Sequence, residues 1–192
     1  MIAPRRRLLI RSLAATVLPA ACSSPNPTLY AIQPVAGTAQ PTGARVVQLR
    51  AISLARYLDR QQIVRSADDY RLEVAPNDWW GEPLGTMLAR VLVEELSQRL
   101  PGSTVLDEEG AITVDADQTV EINLRRLDAA RTGEVVLAAS VAVARRSPRR
   151  QPVTRAFSTL VPQATPDVNG FVAAASIAVG RLADAIADML RA

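Results

Sequence analysis

The sequence predicts an α+β fold: a mainly antiparallel sheet with two long amphipathic helices packed on one face. Three observations carry this expectation. Leu84, Met87, Leu88, Val91, Leu92, Leu96 and Leu100 recur at helical spacing, and Phe171, Ala174, Ala178, Leu182, Ile186 and Met189 do so again near the C-terminus. Between them Val120, Ile122 and Leu124 alternate with Glu121, Asn123 and Arg125, the period of a strand buried on one face. Two further β-rich runs, 135–144 and 153–161, follow after short turns, so the three read as an antiparallel meander.

The N-terminus divides from the rest. Met1–Arg11 is positively charged, Leu8–Leu18 is apolar except for Arg11 and Ser12, and Pro19-Ala20-Ala21 supplies small residues before Cys22. That is the layout of a signal peptide over residues 1–21. The apolar stretch is shorter than the roughly 20 residues a permanent span takes. Leu18-Pro19-Ala20-Ala21-Cys22 resembles a lipobox, although Pro19 stands where an aliphatic residue is usual. The resemblance implies that Cys22 carries a covalent lipid, a diacylglycerol plus an N-acyl chain such as palmitate. The alternative is a secreted chain with Cys22 as a free thiol. Arg6-Arg7-Leu8-Leu9-Ile10-Arg11 fits a twin-arginine export signal as well as a plain charged segment, and both routes stay open.

Removing the leader changes the charge. The chain is formally +3, but four arginines and no acid precede Cys22, which leaves 18 Arg against 19 Asp and Glu, or −1. A nearly neutral body has no bulk attraction for a phosphate backbone, so nucleic acid is not an expected partner. The chain has no His, which excludes Ser-His-Asp triads, imidazole acid–base chemistry and His-ligated metals. Its single Cys excludes an internal disulfide and a thiolate zinc cluster.

Residues 22–43 read as a lipidated Cys and a Pro-rich tether interrupted by a short strand at Thr28–Ile32. Residues 44–192 read as one domain. Arg45–Leu49, Gln62–Ser66 and Tyr70–Val74 have strand character, and Asn77-Asp78 offers a helix cap with Pro83 in the first turn. Glu94, Glu95, Gln98 and Arg99 are expected on the solvent face of the first long helix, which Pro101-Gly102 ends. Thr104–Leu106 is a strand, and Thr165-Pro166-Asp167 opens the last helix.

Tyr57-Leu58-Asp59-Arg60, Gln62-Ile63-Val64-Arg65, Trp80-Gly81-Glu82-Pro83-Leu84 and Leu96-Ser97-Gln98-Arg99-Leu100 carry a resemblance. They are similar to the corresponding segments of the ABC-type transport auxiliary lipoproteins, the PqiC/YmbA-like family. Gln61 stands where that family usually has Pro, and Gly81 where it has Ala. The resemblance implies a non-enzymatic lipoprotein with no catalytic residues, no metal and no cofactor beyond the lipid on Cys22. It implies an outer-membrane anchor facing the periplasm, with Ser23 after the Cys matching outer-membrane sorting. The implied partner is an MCE-domain protein of an ABC-type lipid-transport system, with assembly into a homo-oligomer also open.

Five residues are candidates for partner binding: Tyr57, Asp59, Arg60, Trp79 and Trp80. Aromatics and Arg dominate interface centres, yet a Trp beside a helix start also plugs cores, and Asp59/Arg60 also fits a local cap or ion pair. Asp107-Glu108-Glu109 lacks calcium-loop spacing and reads as a solvated turn. Arg145-Arg146 and Arg149-Arg150 read as a solvated hairpin tip. The competing function is a freestanding envelope lipoprotein that binds a small apolar ligand or stabilises another complex. A closed apolar pocket would favour that reading, and an exposed apolar surface the transport one.

Overall fold

Strands of this chain divide between two mixed sheets. In order they are β1 (Thr28–Tyr30), β2 (Val46–Leu49), β3 (Ser53–Leu54), β4 (Gln62–Ser66) and β5 (Leu72–Trp80), then helix α1 (Leu84–Arg99). There follow β6 (Thr104–Asp107), β7 (Gln118–Ala129), β8 (Glu134–Arg145), β9 (Val153–Pro162) and helix α2 (Val168–Arg191). The computed structural model describes residues 26–40, 45–66, 71–112, 114–146 and 151–191. Met1–Ala21, Cys22, the end of the tether at 41–43 and the hairpin tip at 147–150 lie outside the described residues.

The smaller sheet has the order β1-β5-β4 and the larger β6-β2-β7-β8-β9, with β3 pairing β7 off that path. The expected meander is present: β7 runs antiparallel to β8 with Ile122 opposite Val141, and β8 antiparallel to β9 with Leu137 opposite Thr159. The rest departs from a mainly antiparallel sheet. β1 is parallel to β5, and β2 is parallel to both β6 and β7. The cause is the path of the chain. Parallel neighbours need a long return, and the β4–β5 hairpin and α1 both lie between β2 and β6. Sequence periodicity locates strands but does not pair those distant in the chain.

Two local expectations also change. Asn77 and Asp78 do not cap a helix; they continue β5, which runs on through Trp80. The helix starts instead at Leu84, with Pro83 at the cap and its carbonyl accepting from Met87 N–H at 3.0 Å. Pro83 has no N–H to leave unsatisfied, so the start tolerates the absence of a side-chain cap. At the second helix the expectation holds. Asp167 Oδ1 accepts from the Gly170 N–H at 2.8 Å and from the Thr165 hydroxyl at 2.6 Å. Those two donors, the hydroxyl first, hold the Asp167 carboxyl below its usual range.

Both helices pack on each other, and α2 covers β8 and β9. The predicted α2 residues Phe171, Ala174, Ala178, Leu182 and Ile186 are all at most 2% exposed. Against them lie Val120, Ile122 and Leu124 of β7 and Val135, Leu137, Ala139, Val141 and Val143 of β8. The 24-residue α2 is long and apolar enough to cross a bilayer by composition, but most of it is buried inside the fold. Its Ala-rich surface lets the helix lie close to the sheet. Gln118 Nε2 on β7 donates to the Leu190 carbonyl at 3.1 Å and ties down the last turn.

Candidate functional site

α1 is not polar on one side and apolar on the other. Glu94 and Gln98 are exposed as expected, but Glu95 and Arg99 are buried, at 0% and 1% exposure. They face segment 31–40, which forms no regular element yet lies against the helices. Ile32 is buried, the Gln33 N–H donates to Ser176 Oγ at 3.1 Å, and the Val35 N–H donates to Glu95 Oε1 at 2.8 Å. At the far end the Gln40 N–H donates to the Arg99 carbonyl at 2.6 Å. Half of the stretch that reads as tether is therefore fastened to the domain, up to residue 40.

Arg99 is the centre of this clasp. Its guanidinium donates to Asp184 Oδ1 at 2.6 Å and to the carbonyls of Gly180, Val35 and Glu95 at 3.1–3.2 Å. One planar group thus joins α1, α2 and the strap, a task that needs the forked donors of Arg rather than the point charge of Lys. Two glycines make room: a Cβ on Gly37 would overlap the guanidinium, and one on Gly180 would sit 3.0 Å from Val35. Glu95 Oε2 is buried without a hydrogen-bond partner among the described residues. Burial pushes the Glu95 carboxyl up to about 7, against the lowering pull of the Val35 N–H and the Arg99 charge.

The five candidate docking residues separate into two groups. Trp80 is 5% exposed and meets Phe171 with ring centroids 6.4 Å apart, so it belongs to the core where β5 meets α2. Tyr57 is half-buried. Its hydroxyl donates to Asp128 Oδ2 at 2.9 Å, and Asp128 also accepts from Arg126 at 2.6 Å. Burial first, then the Asp128 carboxylate, raise the Tyr57 phenol above its ordinary value. Both residues therefore brace the fold. Asp59 and Arg60 are exposed. Trp79 is partly exposed, with Nε1 donating to the Pro76 carbonyl at 3.1 Å. Asp59 and Arg60 are thus the exposed members of the five, with Tyr57 and Trp79 partly exposed and Trp80 buried.

The structure also shows what Gln61 and Gly81 do. The Gln61 carbonyl accepts from the Trp80 N–H at 2.7 Å, a role the residue type does not affect. A Cβ on Gly81 would stand 3.5 Å from the Tyr30 carbonyl, ordinary contact, so Ala fits there.

A surface cleft of about 240 Å³ is bordered by Asp59, Asp107 and Glu109 with Ile52, Pro83 and Thr86. Among the described residues no three His, Cys, Asp or Glu side chains are placed to hold a metal. Glu108 is occupied otherwise, pairing with Arg50 at 2.9 Å and accepting from the Ala51 N–H. Arg146 pairs with Asp115 at 2.9 Å.

Comparison with known proteins settles the family. The model of the ABC-type transport auxiliary lipoprotein component matches residues 28–187, from the first residue of β1 into the last turns of α2. The chain belongs to this family. The intermembrane transport lipoprotein PqiC of Escherichia coli K12 is 27% identical over 123 residues, 62% of this chain and 64% of that protein, and PqiC of Shigella flexneri matches equally. The match thus spans less than two thirds of the length of these relatives. Among solved structures, protein XCC0632 from Xanthomonas campestris superposes with TM-score 0.72 at 19% identity, covering 85% of this chain and 94% of that one. An uncharacterized protein superposes at 0.73, also at 19% identity, covering 86% and 99%. At that identity the two structures show a shared fold alone. The family match begins inside the segment that composition reads as tether, which agrees with the strap being part of the folded unit.

Proposed function

We propose that this chain is an outer-membrane lipoprotein facing the periplasm that serves, without catalysis of its own, as the accessory component of an MCE/ABC-type intermembrane lipid-transport system. The observation that carries the reading is the family match over residues 28–187. The relative named as an intermembrane transport lipoprotein supports the transport role. The lipobox-like Leu18–Cys22 supports the anchor, and Ser23 supports the outer membrane over the inner. The absence of any His, together with the structural employment of Tyr57, Asp128, Glu95 and Arg99, removes imidazole acid–base chemistry and supports an adaptor.

The adaptor surface in this reading has two parts. Asp59, Arg60 and Trp79 form the polar and aromatic one. The other is the outer edge of β9, where Val153 and Leu160 are exposed; among the described residues no strand pairs with this edge, and the Leu160 carbonyl on β9 accepts from Arg181 at 2.9 Å. A long free edge accepts an added strand from a partner or from a second copy of the chain. Membrane fractionation tests the anchor. The wild type should migrate with outer membranes on a density gradient, and Cys22→Ala should become soluble in the periplasm. Unchanged membrane association of Cys22→Ala would contradict lipid anchoring through this residue.

A further inference from the structure

We infer that the strap at 31–40 is a proton-controlled cover: it lies closed on α1 and α2 while Glu95 is neutral, and it lifts off them, with the rest of the domain still folded, once Glu95 ionises.

The strap is held differently from the strands. It has no regular secondary structure, and most of its bonds to the body run to side chains. The Ile32 N–H donates to Met87 Sδ at 3.2 Å, the Gln33 N–H to Ser176 Oγ at 3.1 Å and the Val35 N–H to Glu95 Oε1 at 2.8 Å. The Val35 carbonyl accepts from Arg99 at 3.2 Å, and the Gln40 N–H donates to the Arg99 carbonyl at 2.6 Å. Gln33, Ala36, Thr38 and Ala39 are exposed. The β7–β8 ladder, by contrast, runs from Gln118 and Arg145 to Ala129 and Val135. A segment with few bonds and much exposed chain opens at a lower free energy than such a ladder.

Glu95 is the point at which a proton acts on the strap. The residue is 0% exposed; Oε1 has the Val35 N–H, and Oε2 has no hydrogen-bond partner among the described residues. An ionised carboxylate offers about four lone-pair sites. Arg99 does not fill them, because its bonds go to Asp184 Oδ1 and to the carbonyls of Val35, Glu95 and Gly180. Its charge favours the carboxylate, but the other charged groups that face Glu95, Asp184 on α2 and Glu94 on α1, are both acidic and oppose it. The strap itself has no ionisable side chain. A neutral carboxyl therefore suits this dry pocket, and a carboxylate is short of donors.

Lifting the strap returns water to Glu95. The side chain then ionises as an ordinary Glu does, near 4.5, rather than at about 7 as in the closed state. The closed state holds the extra proton between those values, so opening becomes easier as pH rises, by on the order of 10- to 100-fold from pH 5 to pH 8. The Arg99–Asp184 pair still joins α1 to α2 when the strap has left, which keeps the helix pair assembled. What opening uncovers is the seam between the helices where Ile32, 1% exposed, sits beside Met87.

Hydrogen exchange of the full-length chain at pH 5 and pH 8 tests this, with protection corrected for the intrinsic rate at each pH. Peptides covering 31–40 report the strap, and peptides from β7 and β8 report the fold. The expected result is strap protection well below that of the meander at both pH values, falling 10- to 100-fold at pH 8. In Glu95→Gln, which keeps an acceptor but cannot ionise, strap protection should stay flat. Strap and meander peptides of the wild type exchanging with equal protection at both pH values would show that the strap leaves only when the whole domain unfolds, and would overturn the inference. So would strap protection that does not fall at pH 8, or that falls equally in Glu95→Gln. The wild-type comparison of strap with meander decides the first point even where Glu95→Gln folds poorly.

Discussion

Arg99 Nε lies 2.6 Å from Asp184 Oδ1, with the guanidinium 1% exposed and the carboxylate half in solvent. The pair joins α1 to α2, and the remaining donors of the same group hold the strap. Arg99→Ala removes these bonds and leaves buried carbonyls unpaired, at a cost of about 3 kcal/mol. Arg99→Lys should recover no more than part of this, because an ammonium does not reach the three carbonyls and Asp184 from one plane. Urea denaturation of the wild type and both variants measures it. A loss under about 1 kcal/mol for Arg99→Ala would remove the clasp from the account.

Glu95 gives the clasp a pH signature. An ordinary Glu titrates near 4.5, whereas Glu95 in the folded chain does so at about 7. Between those values the folded state binds the more protons, so stability falls as pH rises from 4.5 through 7, by about 3 kcal/mol over the window. Glu95→Gln keeps an acceptor for the Val35 N–H but cannot ionise. It should match the wild type near pH 5 and exceed it at pH 8. Parallel stability curves for the two proteins would show that Glu95 does not titrate in this range.

Two glycines make opposite predictions. Gly37→Ala places a methyl group against the Arg99 guanidinium, which four hydrogen bonds prevent from moving aside, and should cost about 1–3 kcal/mol. Gly81→Ala meets nothing closer than the Tyr30 carbonyl at 3.5 Å and should stabilise by about 0.4–1 kcal/mol through the unfolded chain. Thermal unfolding of the two variants side by side reads the contrast.

Within Tyr57–Arg60, brace and surface are separable. Tyr57→Phe removes a donor from buried Asp128 and should cost about 1 kcal/mol. Asp59→Ala and Arg60→Ala should leave stability within about 0.5 kcal/mol, and any defect they cause should appear in partner recovery alone. Trp80→Ala should cost about 3–5 kcal/mol as a core truncation. Stability measurements paired with co-purification separate these roles; a folded, fully stable Tyr57→Phe chain would contradict the brace.

Local structure was legible where the pattern was local. The meander and the α2 face follow from period-two and helical spacing, and Thr165-Pro166-Asp167 marks a real cap. The parallel pairings were not legible, because β2 meets β6 across more than fifty residues that include a hairpin and a helix. The clasp was legible in part. Glu95 lies seven residues after Leu88 and Arg99 seven after Leu92, so helical geometry places both on the apolar stripe. Their charge argued for the solvent face, and the competing fact, a strap with complementary groups, is set by tertiary packing. Of the docking candidates, the aromatic residue types suggested a surface, but burial assigns Trp80 to the core.

The central claim is that this family member works as an adaptor in envelope lipid transport. A tagged chain purified from detergent-solubilised native membranes, with its companions identified by mass spectrometry, tests that most directly. The account predicts an MCE-domain protein or an ABC-transporter subunit among them, reduced by Asp59→Ala, Arg60→Ala or Trp79→Ala in a chain that remains folded. Recovery of the lipoprotein without any such component, from membranes that contain one, would contradict it.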